Sequence, residues 1–207
     1  MNTQNALKFL EREIHTVIIA TADDKGLPVT CAVDIMDSDE QGLYFLTAKG
    51  KGFYDRLKKS GYVSLTGIKG GDTLSCTAVS VRGKVCELGN GRIEDLIRKN
   101  PYMEEIYSTE QSRRALTVFR LYEGSGEWFD LSKKPVERAS FVIGNAMEIT
   151  REFKITEKCT GCGICGTVCP QSCIDFTGVP AVIKQNNCLR CGNCFEVCPQ
   201  KAVTRKG

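Results

Sequence analysis

The cysteines are the residues of this sequence whose number and spacing indicate chemistry. The chain has 12 cysteines in 207 residues, and those from Cys159 onward are crowded into the last quarter. The first fourteen residues contain Glu11, Arg12 and Glu13 and no apolar stretch typical of a secretory signal, so we expect a cytoplasmic protein. In that reducing compartment, a dense group of cysteines indicates metal ligation rather than disulfide bonds. The change in composition predicts two domains, residues 1–150 and residues 151–207.

The crowded cysteines form an internal repeat. A Cys-x2-Cys-x2-Cys-x3-Cys-Pro run starts at Cys159 and recurs from Cys188. A cubane cluster needs a thiolate on each of its four iron atoms, and three cysteines on a short loop can reach three of them. The run resembles the motif of bacterial two-cluster ferredoxins, in which the fourth cysteine ligates the other cluster. The resemblance implies a small α+β ferredoxin-type module with two [4Fe–4S] clusters. The expected ligands are Cys159, Cys162, Cys165 and Cys198 for one cluster, and Cys188, Cys191, Cys194 and Cys169 for the other.

Two structural zinc sites with four cysteines each are the alternative to clusters. Zinc modules usually pair two Cys-x2-Cys knuckles across a long gap. Each run here instead has three closely spaced cysteines and a Cys-Pro, which favours iron–sulfur clusters. Cys173 is a ninth thiol, at the position that Ala202 occupies in the second run. We expect Cys173 to be a small buried residue, with a spare ligand as the alternative.

Residues 1–150 predict a mainly β domain with a few helices, because short β-rich stretches are separated by turn residues without regular strand–helix alternation. Helical periodicity predicts helices over residues 5–14, 53–59 and 93–98. Glu123-Gly124-Ser125-Gly126 is expected to form a turn between the last two strands. The pattern indicates an antiparallel barrel or sandwich. The expected strands are residues 17–21, 29–36, 43–47, 62–66, 78–86, 116–122 and 127–131.

Several of these stretches resemble the pyridoxamine 5′-phosphate oxidase-like family of FMN-binding split barrels. The similarity runs over residues 5–135 and includes Val17–Thr21, Gly26–Thr30, Leu43–Thr47 and Val81–Val85. It implies a split β-barrel that forms a homodimer, with one FMN at each end of the subunit interface. The start of the helix after the third strand would add amide donors to the FMN phosphate. The residues implied at the flavin are Val29, Thr30, Cys31, Thr47 and Ala48 along the ring and ribityl chain, and Lys49 and Lys51 at the phosphate.

Some of these residues have simpler interpretations. Lys49 and Lys51 could belong to a solvated surface, and Cys31 could only pack on its strand. His15, the one histidine of the chain, is expected to cap or pack the first helix rather than to act in catalysis. Trp128-Phe129 is expected to pack against the barrel. The Arg-x-His signature of the true oxidase is absent after these residues, so activity on pyridoxamine phosphate itself is not expected.

A flavin and two iron–sulfur clusters in one chain predict an oxidoreductase. Such clusters transfer single electrons, whereas a flavin exchanges one or two. We expect electrons to pass between the clusters and FMN, with an unidentified small molecule as substrate. An electron carrier or redox sensor without a substrate is one alternative, and a barrel that has lost FMN and serves only dimerisation is another. The net charge of +3 and the shortness of the apolar stretches argue against nucleic-acid or membrane partners.

Overall fold

The structure, a computed structural model, describes residues 1–147 and 152–206. Its residues divide into two compact units, of which the first contains the barrel and the second the cysteine-rich segment. The domain boundary predicted at residue 150 lies outside the described residues and stays a prediction. The first unit comprises residues 1–69, 78–127 and 141–147, and the second comprises residues 70–77, 128–140 and the described part of 148–207.

Seven strands form one antiparallel sheet that closes on itself. Along the sheet the strands follow the order β3-β2-β1-β4-β5-β6-β7, and β3 also pairs with β6. This second pairing closes six strands into a barrel and leaves β7 beside β6 outside the ring. The mainly β fold is therefore confirmed, and it is a closed barrel rather than a sandwich. The strands are β1 (Thr16–Ala22), β2 (Pro28–Asp39), β3 (Gly42–Ala48), β4 (Tyr62–Lys69), β5 (Thr77–Gly89), β6 (Leu116–Asp130) and β7 (Glu137–Ile143).

The barrel interior is filled by side chains that alternate along the strands. Phe45 and Phe119 are almost completely buried, and their rings stack with centroids 5.9 Å apart. Removing such a side chain from water contributes roughly 1.5–3 kcal/mol to the free energy of folding. Phe53 and Leu57, from the helix α2 (Gly52–Ser60), are also buried, which fixes that helix on the barrel.

Short helices surround the barrel. The first, α1, continues as a π-helical turn over Leu10–Ile14, so the predicted helix over residues 5–14 is confirmed with a change of type. The α2 helix ends at Gly61, whose φ of 59° is in the left-handed region that favours glycine. The side-chain amide of Asn100 ends α3 by donating to the carbonyls of Met36 and Leu96. These helices are α1 (Thr3–Phe9), α2 (Gly52–Ser60), α3 (Ile93–Lys99), α4 (Met103–Ile106) and α5 (Glu110–Arg113).

The predicted turn at residues 123–126 is wrong, because β6 runs through it as one strand. Its glycines are needed for close approach rather than for a turn. A Cβ on Gly124 would lie 2.3 Å from the carbonyl oxygen of Arg82 on β5. A Cβ on Gly126 would lie 2.2 Å from the ring of Phe141 on β7. Glycine therefore marks places where β6 meets its neighbours, which a single-sequence pattern does not distinguish from a turn.

The second unit repeats its backbone conformation along with its cysteines. Residues 29 positions apart share left-handed backbone: Gly161 and Arg190 have φ of 72° and 58°, and Gly163 and Gly192 have φ of 78° and 89°. These residues bend the two cysteine loops in the same way, and each loop continues into a single helical turn. The elements of this unit are β8 (Glu152–Ile155), α6 (Ile164–Thr167), β9 (Ile174–Asp175), β10 (Val182–Ile183), α7 (Asn193–Glu196) and β11 (Val203–Lys206), with β8 paired to β11 and β9 to β10.

Residues 128–140, at the end of the β6–β7 hairpin, pack with the cysteine loops. The Val136 N–H donates to the Gln171 side chain at 3.0 Å, and the Asn187 side chain donates to the Val136 carbonyl at 2.9 Å. The Arg138 guanidinium lies 4.8 Å from the ring centre of Phe129 and donates to the Cys188 carbonyl at 3.4 Å. Trp128 and Phe129 lie on the barrel strand β6 but group with the second unit, and the expectation that they pack against the barrel stays a prediction.

Within the described residues, no helix combines the length and the apolar character needed to cross a membrane.

Candidate cofactor sites

The predicted cluster ligands come together in two groups of four, and each group lines its own cavity. The grouping follows the interleaved pattern implied by the sequence, with the fourth cysteine of each run in the other run's cavity. Cys173 also lines the cavity that contains Cys188, Cys191 and Cys194. The first cysteine cavity is lined by Cys159, Cys162, Cys165 and Cys198, and the second cysteine cavity by Cys188, Cys191, Cys194 and Cys169.

Both cysteine cavities have apolar walls. Ile155, Phe176 and Val203 line the first, while Phe153 and Ile183 are among the residues that line the second. Such walls exclude water and lower the local dielectric constant, which influences the potential of any cluster held there. Within the residues described, no three His, Cys, Asp or Glu side chains are grouped as ligands of a single metal ion. The sulfurs are arranged around the cavities.

Burial favours the protonated form of two of these thiols, Cys165 and Cys194, when no metal is bound. Burial, with the neighbouring Cys188 and Cys191, raises the pKa of Cys194 to about 11. Burial also raises the pKa of Cys165. Burial acts in the same direction on Cys169, but backbone N–H donors outweigh it and lower the pKa of that thiol. Metal binding would have to release these protons, because thiolate is the ligating form.

Backbone amides point at the sulfurs in matched pairs. The amides of Gly161 and Arg190 donate to Cys159 and Cys188, at 3.4 and 3.3 Å. In the second matched pair, the amide four residues after the Cys-Pro cysteine donates to the sulfur of that cysteine. Cys173 N–H donates to Cys169 Sγ at 3.4 Å, and Ala202 N–H donates to Cys198 Sγ at 3.3 Å. These donors stabilise negative charge on the sulfurs in both cavities.

A third cavity, of about 180 Å3, opens beside β2, β3 and the start of α2. We call it the barrel cavity. Among the residues predicted at the flavin, Cys31, Thr47 and Lys51 line it. The others lie nearby on the same elements and outside its lining: Val29 and Thr30 precede Cys31 on β2, Ala48 ends β3, and Lys49 follows it. The lining of the barrel cavity is Cys31, Ala32, Val33, Asp34, Met36, Leu46, Thr47, Lys51, Phe53 and Met103.

A cation that the sequence analysis missed, Arg56, lies close enough to the barrel cavity for its charge to act on Cys31, although it is not part of the lining. Lys51 is the residue before α2, and no side chain caps that helix. Arg56 lies one turn into α2, with its Nη1 3.3 Å from where a Cβ on Gly52 would lie and its Nε donating to Thr21 Oγ1 at 2.8 Å. A helix start with free amides and two cations suits an anion. The sequence signal that could have identified Arg56 is its position four residues after Gly52, since that spacing places the Arg56 side chain over the start of the helix.

Burial and the positive charges of Arg56 and Lys51 act on the pKa of Cys31. Burial raises the pKa of its thiol, and the positive charges of Arg56 and Lys51 act in the opposite direction without cancelling the effect. The thiol is therefore neutral near pH 7, and it contributes shape to the wall rather than a nucleophile.

Asp34, which also lines the barrel cavity, is the centre of a hydrogen-bonded network. Its carboxylate accepts from Thr16 Oγ1 at 2.6 Å and from Tyr102 OH at 2.7 Å, and His15 Nε2 lies 2.9 Å from the same hydroxyl. Burial raises the pKa of Asp34, but the hydrogen bonds and His15 outweigh it and the pKa falls below its usual value. Burial and Asp34 raise the pKa of Tyr102. His15 follows the π-helical turn, as expected for a capping residue, and also joins this network.

Comparison with protein families decides the relationship of this chain to known proteins. A family model described as pyridoxamine 5′-phosphate oxidase matches residues 3–129, more than half of the chain. The chain belongs to this family. A second model, described as a 4Fe-4S dicluster domain, matches residues 158–202. The chain thus joins a pyridoxamine 5′-phosphate oxidase-family barrel to an iron–sulfur module, a combination suited to electron transfer. No curated protein matches the chain.

Solved structures support the fold of this family member. A NimC/NimA family protein from Clostridium acetobutylicum shares 17% identity at a TM-score of 0.57, over 69% of this chain and 92% of that one. A protein from the same organism, related to general stress protein 26 and assigned to the pyridoxinephosphate oxidase family, shares 18% identity at a TM-score of 0.52. That match covers 65% of this chain and 89% of the other. At such identities the likeness establishes the barrel fold alone.

Proposed function

We propose that this protein is an FMN-dependent oxidoreductase in which electrons pass between two [4Fe–4S] clusters and a flavin bound to the barrel. The observation that carries the proposal is the union, in one chain, of the oxidase-family barrel over residues 3–129 and the dicluster module over residues 158–202. Covalent linkage raises the effective concentration of an electron donor at its acceptor. A cluster delivers one electron at a time, and a flavin can combine two for a small-molecule substrate.

The donor chemistry of the cysteine cavities fits the clusters. Each cavity has four thiol ligands, amide donors to two of its sulfurs, and apolar walls. Thiolates are the ligands that iron–sulfur clusters use, and amide hydrogen bonds compensate their negative charge. The residues that would hold the first cluster are Cys159, Cys162, Cys165 and Cys198, and those for the second are Cys188, Cys191, Cys194 and Cys169.

The chemistry of the barrel cavity fits one end of FMN. Lys51, Arg56 and the start of α2 would hold the phosphate, while the strand residues Val29–Cys31 and Thr47–Lys49 would follow the ribityl chain and ring. The ring, when bound, exchanges electrons with the substrate. At about 180 Å3 the cavity is smaller than the roughly 300–1,000 Å3 typical of small-molecule sites. This supports a homodimer in which a second copy of the chain completes each flavin site.

The hydrogen-bonded network around Asp34 favours an enzyme over a carrier without a substrate. Asp34 and Met36 line the cavity, and Tyr102 and His15 hold Asp34 in place. A lowered pKa keeps the Asp34 carboxylate ionised at neutral pH, so it can orient a cationic or hydrogen-bond-donating group. An electron carrier has no use for such a polar group beside an open cavity.

The proposal is tested by following flavin reduction in protein purified without oxygen. FMN, iron and sulfide are first quantified per chain. A one-electron reductant is then added in less than stoichiometric amount, and flavin absorbance is followed in the intact protein and in the Cys162→Ser/Cys191→Ser variant. These two cysteines are exposed and lie one in each cysteine cavity. We expect flavin reduction at least about tenfold slower in the variant, since its clusters are lost or incomplete.

Cys76→Ser is the matched control for thiol loss. Cys76 lies outside both cysteine cavities, and its Sγ donates to the Thr73 carbonyl at 3.3 Å, a bond that a serine hydroxyl can also make. This variant should reduce its flavin at the rate of the unmodified protein. Equal rates in all three proteins, or zinc in place of iron and sulfide, would show the proposal to be wrong.

A further inference from the structure

The two cysteine cavities differ at one buried position. Cys173 and Ala202 occupy the same place in the two repeats and are 3% and 1% exposed. Each donates its backbone amide to the Cys-Pro cysteine four residues earlier, at 3.4 and 3.3 Å. The backbone is therefore matched around Cys169 and Cys198. What differs is the side chain, a thiol in one repeat and a methyl group in the other.

The extra thiol lies against a predicted ligand. Cys173 Sγ is 3.5 Å from Cys169 Sγ, within the range of a sulfur hydrogen bond. Once Cys169 is a metal-bound thiolate it has no proton to give, so the Cys173 S–H is the donor and the Cys169 sulfur the acceptor. Ala202 offers Cys198 no such donor. The second cysteine cavity thus has one side-chain hydrogen bond to a ligand that the corresponding position of the first cavity lacks.

We propose that Cys173 raises the reduction potential of the second cluster by donating its S–H to the Cys169 thiolate. The inference rests on the proposed function, because it requires both clusters. Reduction adds one negative charge, which is shared with the sulfur ligands, so a donor to a ligand stabilises the reduced cluster more than the oxidised one.

Cys173 acts here as a positioning residue rather than as a ligand. The interleaved set already gives the second cavity four cysteines, the number that a cubane requires. Cys173 reaches that set mainly through Cys169, because its amide and its thiol both point at that sulfur, and Cys188 is a second neighbouring thiol. The chain also contains the control for this role, since alanine is the natural residue at the matched position of the other repeat.

The experiment is a redox titration of three variants and the unmodified protein, all with clusters and FMN, followed by low-temperature electron paramagnetic resonance. In Cys173→Ala the potential of one cluster should fall, and the electron occupancy of that cluster at a fixed potential should drop about threefold or more. At 59 mV per tenfold for one electron, threefold corresponds to about 30 mV. Ala202→Cys should raise the potential of the other cluster, and Cys173→Ser, which keeps a donor, should retain the original value.

Each outcome bears on the inference separately from the proposed function. Potentials that are the same in Cys173→Ala as in the unmodified protein would overturn the inference. So would a fall from eight to four iron atoms per chain in Cys173→Ala, because it would make Cys173 a ligand. Shifts in the stated directions support the inference even if flavin reduction does not depend on the clusters. That last result would contradict the proposed function alone.

Discussion

At the scale of single residues, the binding of FMN phosphate is expected to depend on Arg56 as well as Lys51. Arg56 is held by Thr21 and leans over the start of α2, so its charge is already placed for an anion. Arg56→Ala should weaken FMN binding about tenfold or more, since hydrogen bonds to charged groups contribute roughly 1.5–3 kcal/mol. Flavin fluorescence during titration of the flavin-free protein measures this affinity.

A second cation on the same helix serves as the control for Arg56. Lys59 pairs with Asp24 at 2.5 Å at an exposed surface, away from the start of α2. Lys59→Ala removes the same charge from the chain and should leave FMN affinity unchanged, because exposed ion pairs contribute little. If both variants weaken FMN binding equally, only the net charge matters and the assignment of Arg56 to the phosphate is wrong.

At the scale of elements, the approach of β5 to β6 depends on glycine. Gly83 and Gly124 face each other across the two strands, and a Cβ on Gly124 would lie 2.3 Å from the Arg82 carbonyl oxygen. Backbone cannot yield as a flexible side chain can, so Gly124→Ala should destabilise the protein by about 1–3 kcal/mol. A chemical denaturation curve measures the change as a lower midpoint.

The control is Gly91→Ala, in the turn between β5 and α3. A Cβ at Gly91 would meet no atom within 4 Å, and its φ is not in the left-handed region. This variant should unfold at the midpoint of the unmodified protein, or slightly above it, because alanine restricts the unfolded chain. Equal midpoints for both alanine variants would show that the strands accommodate a methyl group at Gly124.

At the scale of the whole molecule, FMN binding is expected to require two copies of the chain. The outer face of neighbouring strands β1 and β4 exposes the apolar side chains Ile18, Tyr62 and Ile68, and Ile18 is 51% exposed. Burying such side chains against a second copy would stabilise a dimer. Light scattering should give twice the chain mass of 22.8 kDa, before cofactors are counted.

Charge on that face tests the link between assembly and flavin. Ile18→Lys should shift the protein toward the monomer and lower bound FMN in proportion, because a desolvated ammonium at an interface is costly. Leu74→Lys is the control, as Leu74 is 70% exposed in the other compact unit and should change neither quantity. A monomer that keeps its FMN would contradict the shared site.

Much of the chemistry was decided by local sequence. The cysteine spacing indicated three sulfurs of each group, because a short loop brings them together, and the resemblance to two-cluster ferredoxins supplied the fourth sulfur from the other run. The barrel strands were also predictable, since alternation of apolar residues along a strand follows from its pleat. The helix α2 was predicted nearly to its ends, because Phe53 and Leu57 are four residues apart, the spacing that buries one face of a helix.

Only the tertiary structure decided which distant residues meet. Gly124 and Gly126 carry the local signature of a turn, yet the neighbouring strands leave no room for a Cβ there and keep the segment extended. Arg56 lies over the start of α2, where the phosphate is proposed to bind, because its side chain donates a hydrogen bond to Thr21 on β1. Contacts between segments far apart along the chain are set by the closing of the barrel and by the packing of side chains, and neither leaves a periodic signal in one sequence.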